Sequence, residues 1–145
     1  MAVYQDLQIT ITQYDFSLYL PNSGNQSTEN ENNIFINISY KIKNVSTTSI
    51  ELIDEGIFSD KSYCFNLHYD KDYVYDSYYY VPDASGHSII SDSRIDPLET
   101  FSGYVCFEVP SEVENSNKSI ELIYGKVAFF SDPYIYFELR TDTSE

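Results

Sequence analysis

The chain has few basic residues and few of the side chains that usually carry chemistry. Its 145 residues include no Trp, one Met, two Cys and two His, and only 8 Lys and Arg against 23 Asp and Glu, for a net charge of −15. Affinity for nucleic acids depends on Lys and Arg that neutralise phosphates, and anionic membranes repel acidic proteins. The sequence therefore predicts no nucleic-acid partner.

Long apolar runs are also missing. No stretch approaches the ~18 consecutive apolar residues of a membrane helix, so no transmembrane segment is predicted. The N-terminus, MAVYQDLQITITQYDF, has no basic region, and Gln5, Asp6 and Gln8 interrupt its apolar residues, unlike a signal peptide. The chain is either cytosolic or a mature segment that carries a start Met.

Motifs for catalysis and cofactor binding are absent. The sequence has no P-loop, no G-x-G-x-x-G and no G-x-S-x-G, so no cofactor and no enzymatic activity are predicted. Cys64 and His68 are four residues apart on one predicted strand, about 13 Å by strand rise, too far for a hydrogen bond. The remaining enzymatic alternative is a thiol hydrolase that pairs Cys106 with His68 across strands.

The residues that are present predict a folded chain. The hydrophobic fraction is 42%, with 15 Tyr and 9 Phe, which is too apolar and aromatic for a disordered protein. A chain of this length fits one domain. We predict a single domain over residues 1–145, with a polar loop at 21–33 and a flexible tail at 141–145.

Apolar and polar residues alternate along most of the chain, and residues 34–42 give the clearest example. Alternation with period two, in segments rich in β-branched and aromatic residues, predicts half-buried strands. A single helical turn capped by Ser111 is predicted at 111–116. Seven to nine short strands separated by turns predict an all-β, antiparallel β-sandwich. The predicted strands are 7–12, 34–43, 49–53, 63–69, 73–81, 100–109, 120–124 and 134–140.

Two motifs resemble a known family. Asn44-Val-Ser46 after an alternating strand matches its K-N-x-S pattern, and the stretch from Pro97 to Pro110 matches L-x-P-G-E-x-x-x-G-x-v-x-F-x-v-P, except that Leu98 stands where Gly is usual. Over about residues 34–140 the chain resembles the immunoglobulin-like β-sandwich domain of bacterial secreted antigens and lipoproteins, the immunoprotective extracellular antigen family.

The resemblance implies an immunoglobulin-like β-sandwich located outside the cytoplasm, either secreted or in the cell envelope, with a non-enzymatic role. Many members of the family carry a lipid anchor on a Cys near the start. This sequence has no such Cys, so an anchor would lie upstream of it.

Cys64 and Cys106 each fall on the polar side of a predicted strand. On neighbouring strands of one sheet they would form a disulfide if their Cα atoms were ~4.4–6.8 Å apart, which would stabilise the fold by roughly 4 kcal/mol. We predict this disulfide, which agrees with an extracellular location. The alternative is two unpaired thiols.

A run of tyrosines at residues 73–80 is the most distinctive feature. Alternation places Tyr73, Tyr75 and Tyr79 on one face of the strand, and Tyr78 and Tyr80 on the other. Tyrosine is favoured in recognition surfaces because it offers rigid amphipathic area. These residues are therefore predicted to bind a protein or a glycan. The alternative is that they fill a core that lacks Trp.

Acidic residues suggest two further hypotheses. Asp70, Asp72 and Asp76 are weak candidates for a calcium site, although they lack the spacing of an EF-hand, and the alternative is a solvated hairpin tip. The net charge of −15 makes an acidic inhibitor or immunity-type protein, which binds a basic protein partner, the runner-up function.

Overall fold

A computed structural model describes residues 2–4, 6–21, 27–51, 63–76, 79–82, 94–126 and 135–141. Within these ranges the chain forms eleven strands and one short helix. The elements are β1 (Ala2–Tyr4), β2 (Leu7–Ser17), β3 (Asn33–Asn44), β4 (Ile50–Glu51), β5 (Tyr63–Tyr69), β6 (Tyr73–Asp76), β7 (Tyr79–Pro82), β8 (Arg94–Ile95), β9 (Thr100–Pro110), α1 (Glu112–Asn115), β10 (Ile120–Lys126) and β11 (Ile135–Arg140).

The strands form two main sheets and one small pair. The five-stranded sheet has the order β1-β2-β3-β9-β7, the four-stranded sheet has the order β11-β10-β5-β6, and β4 pairs with β8. Neighbouring strands are antiparallel. The prediction of an all-β, antiparallel sandwich is therefore confirmed. No helix in the described ranges has the length and hydropathy to span a bilayer.

The hydrophobic core lies between the inner faces of the two sheets. β3 contributes Ile36, Ile38 and Ile42, which are fully buried. Tyr40 and Tyr124 flank Phe65, with ring centroids 5.4 and 4.6 Å from that of Phe65. Burying each large apolar side chain contributes about 1.5–3 kcal/mol. Tyr and Phe thus occupy the centre of a core that has no Trp.

The predicted strand at 73–81 is in fact two strands in different sheets. β6 pairs with β5 in the four-stranded sheet, whereas β7 pairs with β9 in the five-stranded sheet. The prediction of one continuous strand was wrong, because alternation records which residues can be buried and does not identify the neighbouring strand. The tyrosine run is consequently divided between the two sheets.

The outer face of the five-stranded sheet carries a second, smaller apolar cluster. Leu20, Phe35 and Cys106 are buried together there, with Tyr104 packed against them. The segment after β2 folds back over this face, and Glu108 accepts hydrogen bonds from the backbone N–H groups of Glu29 and Asn30. Cys106 does lie on the side of β9 opposite the main core, as alternation predicted, but that side is covered.

The cysteines do not lie on neighbouring strands of one sheet. Cys106 belongs to β9 of the five-stranded sheet, whereas the backbone of Cys64 in β5 pairs with Gly125 in the four-stranded sheet. Cys106 is a free, buried thiol. The geometry on which the predicted disulfide depended is therefore wrong, because the two strands were assigned to one sheet on local pattern alone.

The helical turn is present, but its cap differs from the prediction. Ser111 has helical dihedral angles and makes no capping hydrogen bond with its side chain. Its Oγ instead donates to the carbonyl of Asn32 at 2.9 Å, which fixes α1 to the loop before β3. Of the other predicted features, residues 22–26 of the polar loop, 52–53, 134 and the tail at 142–145 lie outside the described residues.

Candidate functional site: a tyrosine-lined cleft

A cleft of about 700 Å³ opens between the β5–β6 hairpin and the segment that follows β9. The hairpin side of the cleft is lined by Tyr69, Asp70, Tyr73 and Tyr75. The helix side is lined by Pro110, Glu112, Val113, Asn115, Ser116 and Lys118. The cleft is thus a junction between the two sheets at one end of the sandwich.

Strand pairing directs three tyrosines into the cleft. Leu67, which is fully buried in the core, pairs with Tyr75, and Tyr69 pairs with Tyr73. Because residues two apart share a face, all three tyrosines extend the core face of the sheet beyond the core. Tyr69 and Tyr75 are half-buried against the core, whereas Tyr73 is 57% exposed.

The turn between β5 and β6 is tight. Asp70 and Lys71 have φ values of 50° and 65°, in the left-handed region that Asp tolerates better than most residues. The backbone N–H of Asp70 donates to the carbonyl of Ser119 at 2.9 Å, so the turn is tied to the start of β10. The Tyr69 and Tyr73 ring centroids are 5.9 Å apart across the hairpin.

The helix wall of the cleft is held by hydrogen bonds from β5 and from β11. The Tyr69 hydroxyl donates to Ser116 Oγ at 2.7 Å. Arg140 at the end of β11 donates to the carbonyls of Val113 and Lys118, each at 2.8 Å, and of Glu114 at 3.3 Å. Because a four-residue helix has too few internal bonds to be stable alone, these external bonds hold α1 in place.

The cleft carries more negative than positive charge. Asp70 and Glu112 line it together with one cation, Lys118. Among the described residues, neither carboxylate has an ion-pair partner within 4.0 Å; the ion pair found there joins Arg94 to Asp96. Burial raises the pKa of the Tyr75 hydroxyl, and the neighbouring Tyr69 and Glu112 raise it further. Glu112 therefore interacts electrostatically with the Tyr75 hydroxyl in the cleft.

The predicted tyrosine surface is only partly brought together. Tyr73 and Tyr75 meet in the cleft. The backbones of Tyr79 and Tyr80 pair with Cys106 and Val105 in the opposite sheet, and Tyr78 lies outside the described residues. Tyr73 and Tyr75 therefore do not share a strand with Tyr79 and Tyr80, because the chain changes sheets between β6 and β7.

The calcium candidates are spread along the hairpin. Asp70 and Asp72 lie in the turn, whereas Asp76 pairs with Asn66 at the far end of β6, about 13 Å from Asp72 by strand rise. In the described part of the chain no cluster of three His, Cys, Asp or Glu is placed to hold a metal. The backbone thus argues against a site shared by all three aspartates.

Cys106 and His68 do not form a nucleophile–base pair. His68 neighbours the core residue Leu67 and so faces outward from the four-stranded sheet, whereas Cys106 is on the outer side of the five-stranded sheet. The two side chains are on opposite surfaces of the sandwich. Burial, with a smaller contribution from Asp15, raises the pKa of the Cys106 thiol to about 12, which disfavours a thiolate nucleophile.

Sequence reasoning missed most of the cleft lining, including Tyr69 and Glu112, and it missed Arg140, which holds the helix wall in place from outside the lining. Tyr69 was identified as a strand residue, Glu112 as part of a helical turn, and Arg140 as the end of the last strand. The available signal was that the Tyr69–Asp70 junction continues the tyrosine-rich stretch across a turn. The contact of Arg140 with Val113 spans 27 residues and had no local signal.

No family model and no curated protein matches this chain. Two solved structures do. An uncharacterized β-sandwich protein from Clostridium difficile 630 has a TM-score of 0.64 at 23% identity, over 96% of this chain and 89% of that protein. A conserved hypothetical protein from Bacillus anthracis has a TM-score of 0.57 at 15% identity, over 84% of each chain. These similarities establish the β-sandwich fold.

Proposed function

We propose that this protein is a non-enzymatic binding module with an immunoglobulin-like β-sandwich fold, and that the tyrosine-lined cleft is its recognition surface. The partner is a protein or a glycan. The observation that carries this proposal is the exposure of Tyr73, 57%, beside half-buried Tyr69 and Tyr75. A large exposed aromatic next to a concave surface is typical of recognition sites.

The rigidity of the cleft walls supports the same proposal. Tyr69 is bonded to Ser116, and Arg140 fixes the carbonyl end of α1. A surface that is ordered before binding loses less conformational entropy when the partner arrives. The cleft is thus suited to recognition without rearrangement.

We further propose a location outside the cytoplasm, in the cell envelope or secreted. The support is the resemblance of the Asn44-Val-Ser46 and Pro97–Pro110 motifs to the secreted antigen family. The test is digestion by protease added to intact cells of the source organism: a cytoplasmic protein would be protected until the cells are lysed.

An acidic inhibitor of a basic protein is the second candidate function. Two observations favour it: the net charge of −15, and the presence in the cleft lining of Asp70 and Glu112, which have no ion-pair partner among the described residues. Electrostatically steered association weakens steeply with ionic strength. Binding to a basic partner that is indifferent to salt would contradict this candidate.

The binding proposal is tested by selecting ligands from a displayed random-peptide library and from a glycan array. Each selected ligand is then measured against two variants, Tyr73→Ala and Tyr136→Ala. Tyr136 is 62% exposed on β11 and does not line the cleft, so it is a matched control. Loss of binding in Tyr73→Ala alone supports the cleft. Ligands that bind both variants equally would place the recognition surface elsewhere.

A further inference from the structure

We infer that the cleft binds a cationic side chain, an arginine or lysine of a basic polypeptide, between the Tyr73 ring and the carboxylates of Asp70 and Glu112. This inference rests on the proposed binding function and narrows the partner from protein or glycan to a basic protein segment. It differs from general attraction to an acidic protein, because it assigns the contact to one place.

The aromatic side of the cleft fits such a ligand. Tyr73 and Tyr69 form a tilted pair with their ring planes at 40° and their centroids 5.9 Å apart. Half-buried Tyr75 stands on the same face of β6, two residues along. A guanidinium or ammonium over a tyrosine ring is attracted by the negative face of the π system. Tyr73 is the ring exposed enough to receive it.

The charges on the two walls complete the site. Asp70 is on the hairpin wall and Glu112 is on the helix wall, so each wall of the cleft contributes one acidic residue to the lining. Neither carboxylate is neutralised by a described residue. The Arg140 guanidinium does not compete for them, because it donates to three backbone carbonyls. Lys118 is the cation on the helix wall and leaves the lining net negative.

The size of the cleft agrees with a side chain rather than a whole domain. A volume of about 700 Å³ falls within the range of pockets that hold small ligands, about 300–1,000 Å³. One long basic side chain with its flanking backbone fits this space. The net charge of −15 then accelerates the approach of a basic segment without determining where it docks.

The test is an NMR titration of the ¹⁵N-labelled protein with a capped peptide that contains arginines spaced by Gly and Ser. The control peptide has citrulline in place of each arginine, which keeps the shape and removes the charge. We expect the arginine peptide, and not the citrulline peptide, to shift the amide resonances of Tyr73, Tyr75 and Glu112. The shifts should shrink when NaCl is raised from about 20 to about 300 mM.

Matched variants locate the contact. Tyr73→Ala should weaken binding of the arginine peptide by about two- to fivefold, the size of an exposed cation–π contact, while Tyr136→Ala leaves it unchanged. Glu112→Gln should weaken binding by about twofold or more. Glu114→Gln removes the same charge from the same helix, outside the cleft lining, and should have little effect.

Each contrary outcome has a separate meaning. Equal shifts with both peptides, or equal losses in Glu112→Gln and Glu114→Gln, would overturn the cationic site. Shifts at the cleft with a neutral oligosaccharide but not with the arginine peptide would overturn this inference and leave the binding module standing. No shift at the cleft with the arginine peptide or with any ligand selected from the peptide library or the glycan array would remove both the inference and the proposed function.

Discussion

Replacing Asn44 with Ala should destabilise the fold by about 3–5 kcal/mol. The side chain is fully buried at the end of β3. Its Nδ2 donates to the carbonyls of Thr48 at 2.8 Å and Ile95 at 3.0 Å. Its Oδ1 accepts from the backbone N–H and the hydroxyl of Ser46, at 2.9 and 2.8 Å. All four hydrogen-bonding sites of the amide are thus used.

The magnitude follows from these four bonds. Each is worth about 0.5–1.5 kcal/mol net, and a buried partner left unsatisfied costs about 1–3 kcal/mol. The bond to Ile95 is the one of the four that is fully buried. At the other three partners, which are partly exposed, water can replace the lost amide. Three partly replaceable bonds and one orphaned carbonyl give about 3–5 kcal/mol. The backbone bonds of Asn44 to Glu99 and Leu98 are unaffected by the change.

The assay is urea unfolding followed by far-UV circular dichroism, since there is no Trp to report fluorescence. With an m-value of about 2 kcal/mol/M, the midpoint should fall by about 2 M. Asn37→Ala is the control, because Asn37 is also buried but makes one long bond, 3.4 Å, to the Tyr19 carbonyl. A loss below about 1 kcal/mol for Asn44→Ala, or an equal loss in both variants, would refute the reasoning.

Three further predictions follow from local geometry and titration. Leu98 is 70% exposed with a φ of 66°, so Leu98→Gly should stabilise the protein by about 0.5–1 kcal/mol and raise the Tm. The relief of left-handed backbone strain in the folded state outweighs the conformational entropy that Gly adds to the unfolded state. A lower Tm would contradict this. Burial raises the pKa of the Cys106 thiol to about 12, so iodoacetamide should alkylate it in the native protein about a thousand times more slowly than an exposed thiol. Peptide mass spectrometry measures this rate, and rapid labelling would refute the burial of Cys106. Burial tends to raise the pKa of Glu108, but hydrogen bonds from Asn33 and the backbone lower it below the ordinary value of 4.5. The stability that the ionised carboxylate adds is therefore complete above pH 4.5 and is lost on acidification through the folded pKa. The difference in unfolding free energy between wild type and Glu108→Gln should close in acid, and a constant difference would refute this.

The strands were predictable because one face of each is buried. In β3 and β9 every second residue enters the core, and alternation of burial is interrupted only where the outer face is also covered, at Phe35 and Cys106 among others. Sheet membership was not predictable in the same way. Tyr73 to Val81 is a continuous run of strand-forming residues, and its division between two sheets depends on pairing with β5 and β9. Such non-local pairings leave no periodic trace in the sequence.

The candidate site was predictable only in part for the same reason. Tyr73 and Tyr75 were identified from composition and alternation, which are local. The bonds from Arg140 to α1 and from Tyr69 to Ser116 join residues 26 to 47 positions apart. The burial of Cys106 also depended on a distant segment, although Leu18, Tyr19 and Leu20 before the polar loop were an apolar signal that this face is covered.

Leu98 adopts a backbone conformation that favours Gly. The family pattern has Gly at this position, and the structure gives the residue a positive φ of 66°, which is the conformation that Gly adopts without strain. Leu98 therefore holds a backbone conformation for which its Cβ makes it less suitable than Gly. The backbone of Asn44 helps to hold it there, because the Asn44 carbonyl accepts from the N–H of Leu98 at 2.7 Å and the Asn44 N–H donates to the carbonyl of Glu99 at 3.1 Å.

The Asn44 network and the tyrosine cleft lie at opposite ends of β9, whose eleven residues span about 34 Å. Effects on stability add for sites separated by more than ~7–10 Å without shared partners. We therefore expect the free energy of unfolding of the double variant Asn44→Ala/Tyr73→Ala to fall by the sum of the decreases in the two single variants, within about 0.5 kcal/mol. The single variant Asn44→Ala, under conditions where it is folded, should bind cleft ligands with the affinity of the wild type. The reason is that the hydrogen bonds of Tyr69, Ser116 and Arg140 at the cleft are retained. A non-additive loss, or weaker binding in folded Asn44→Ala, would show that the two ends of the sandwich are coupled through β9.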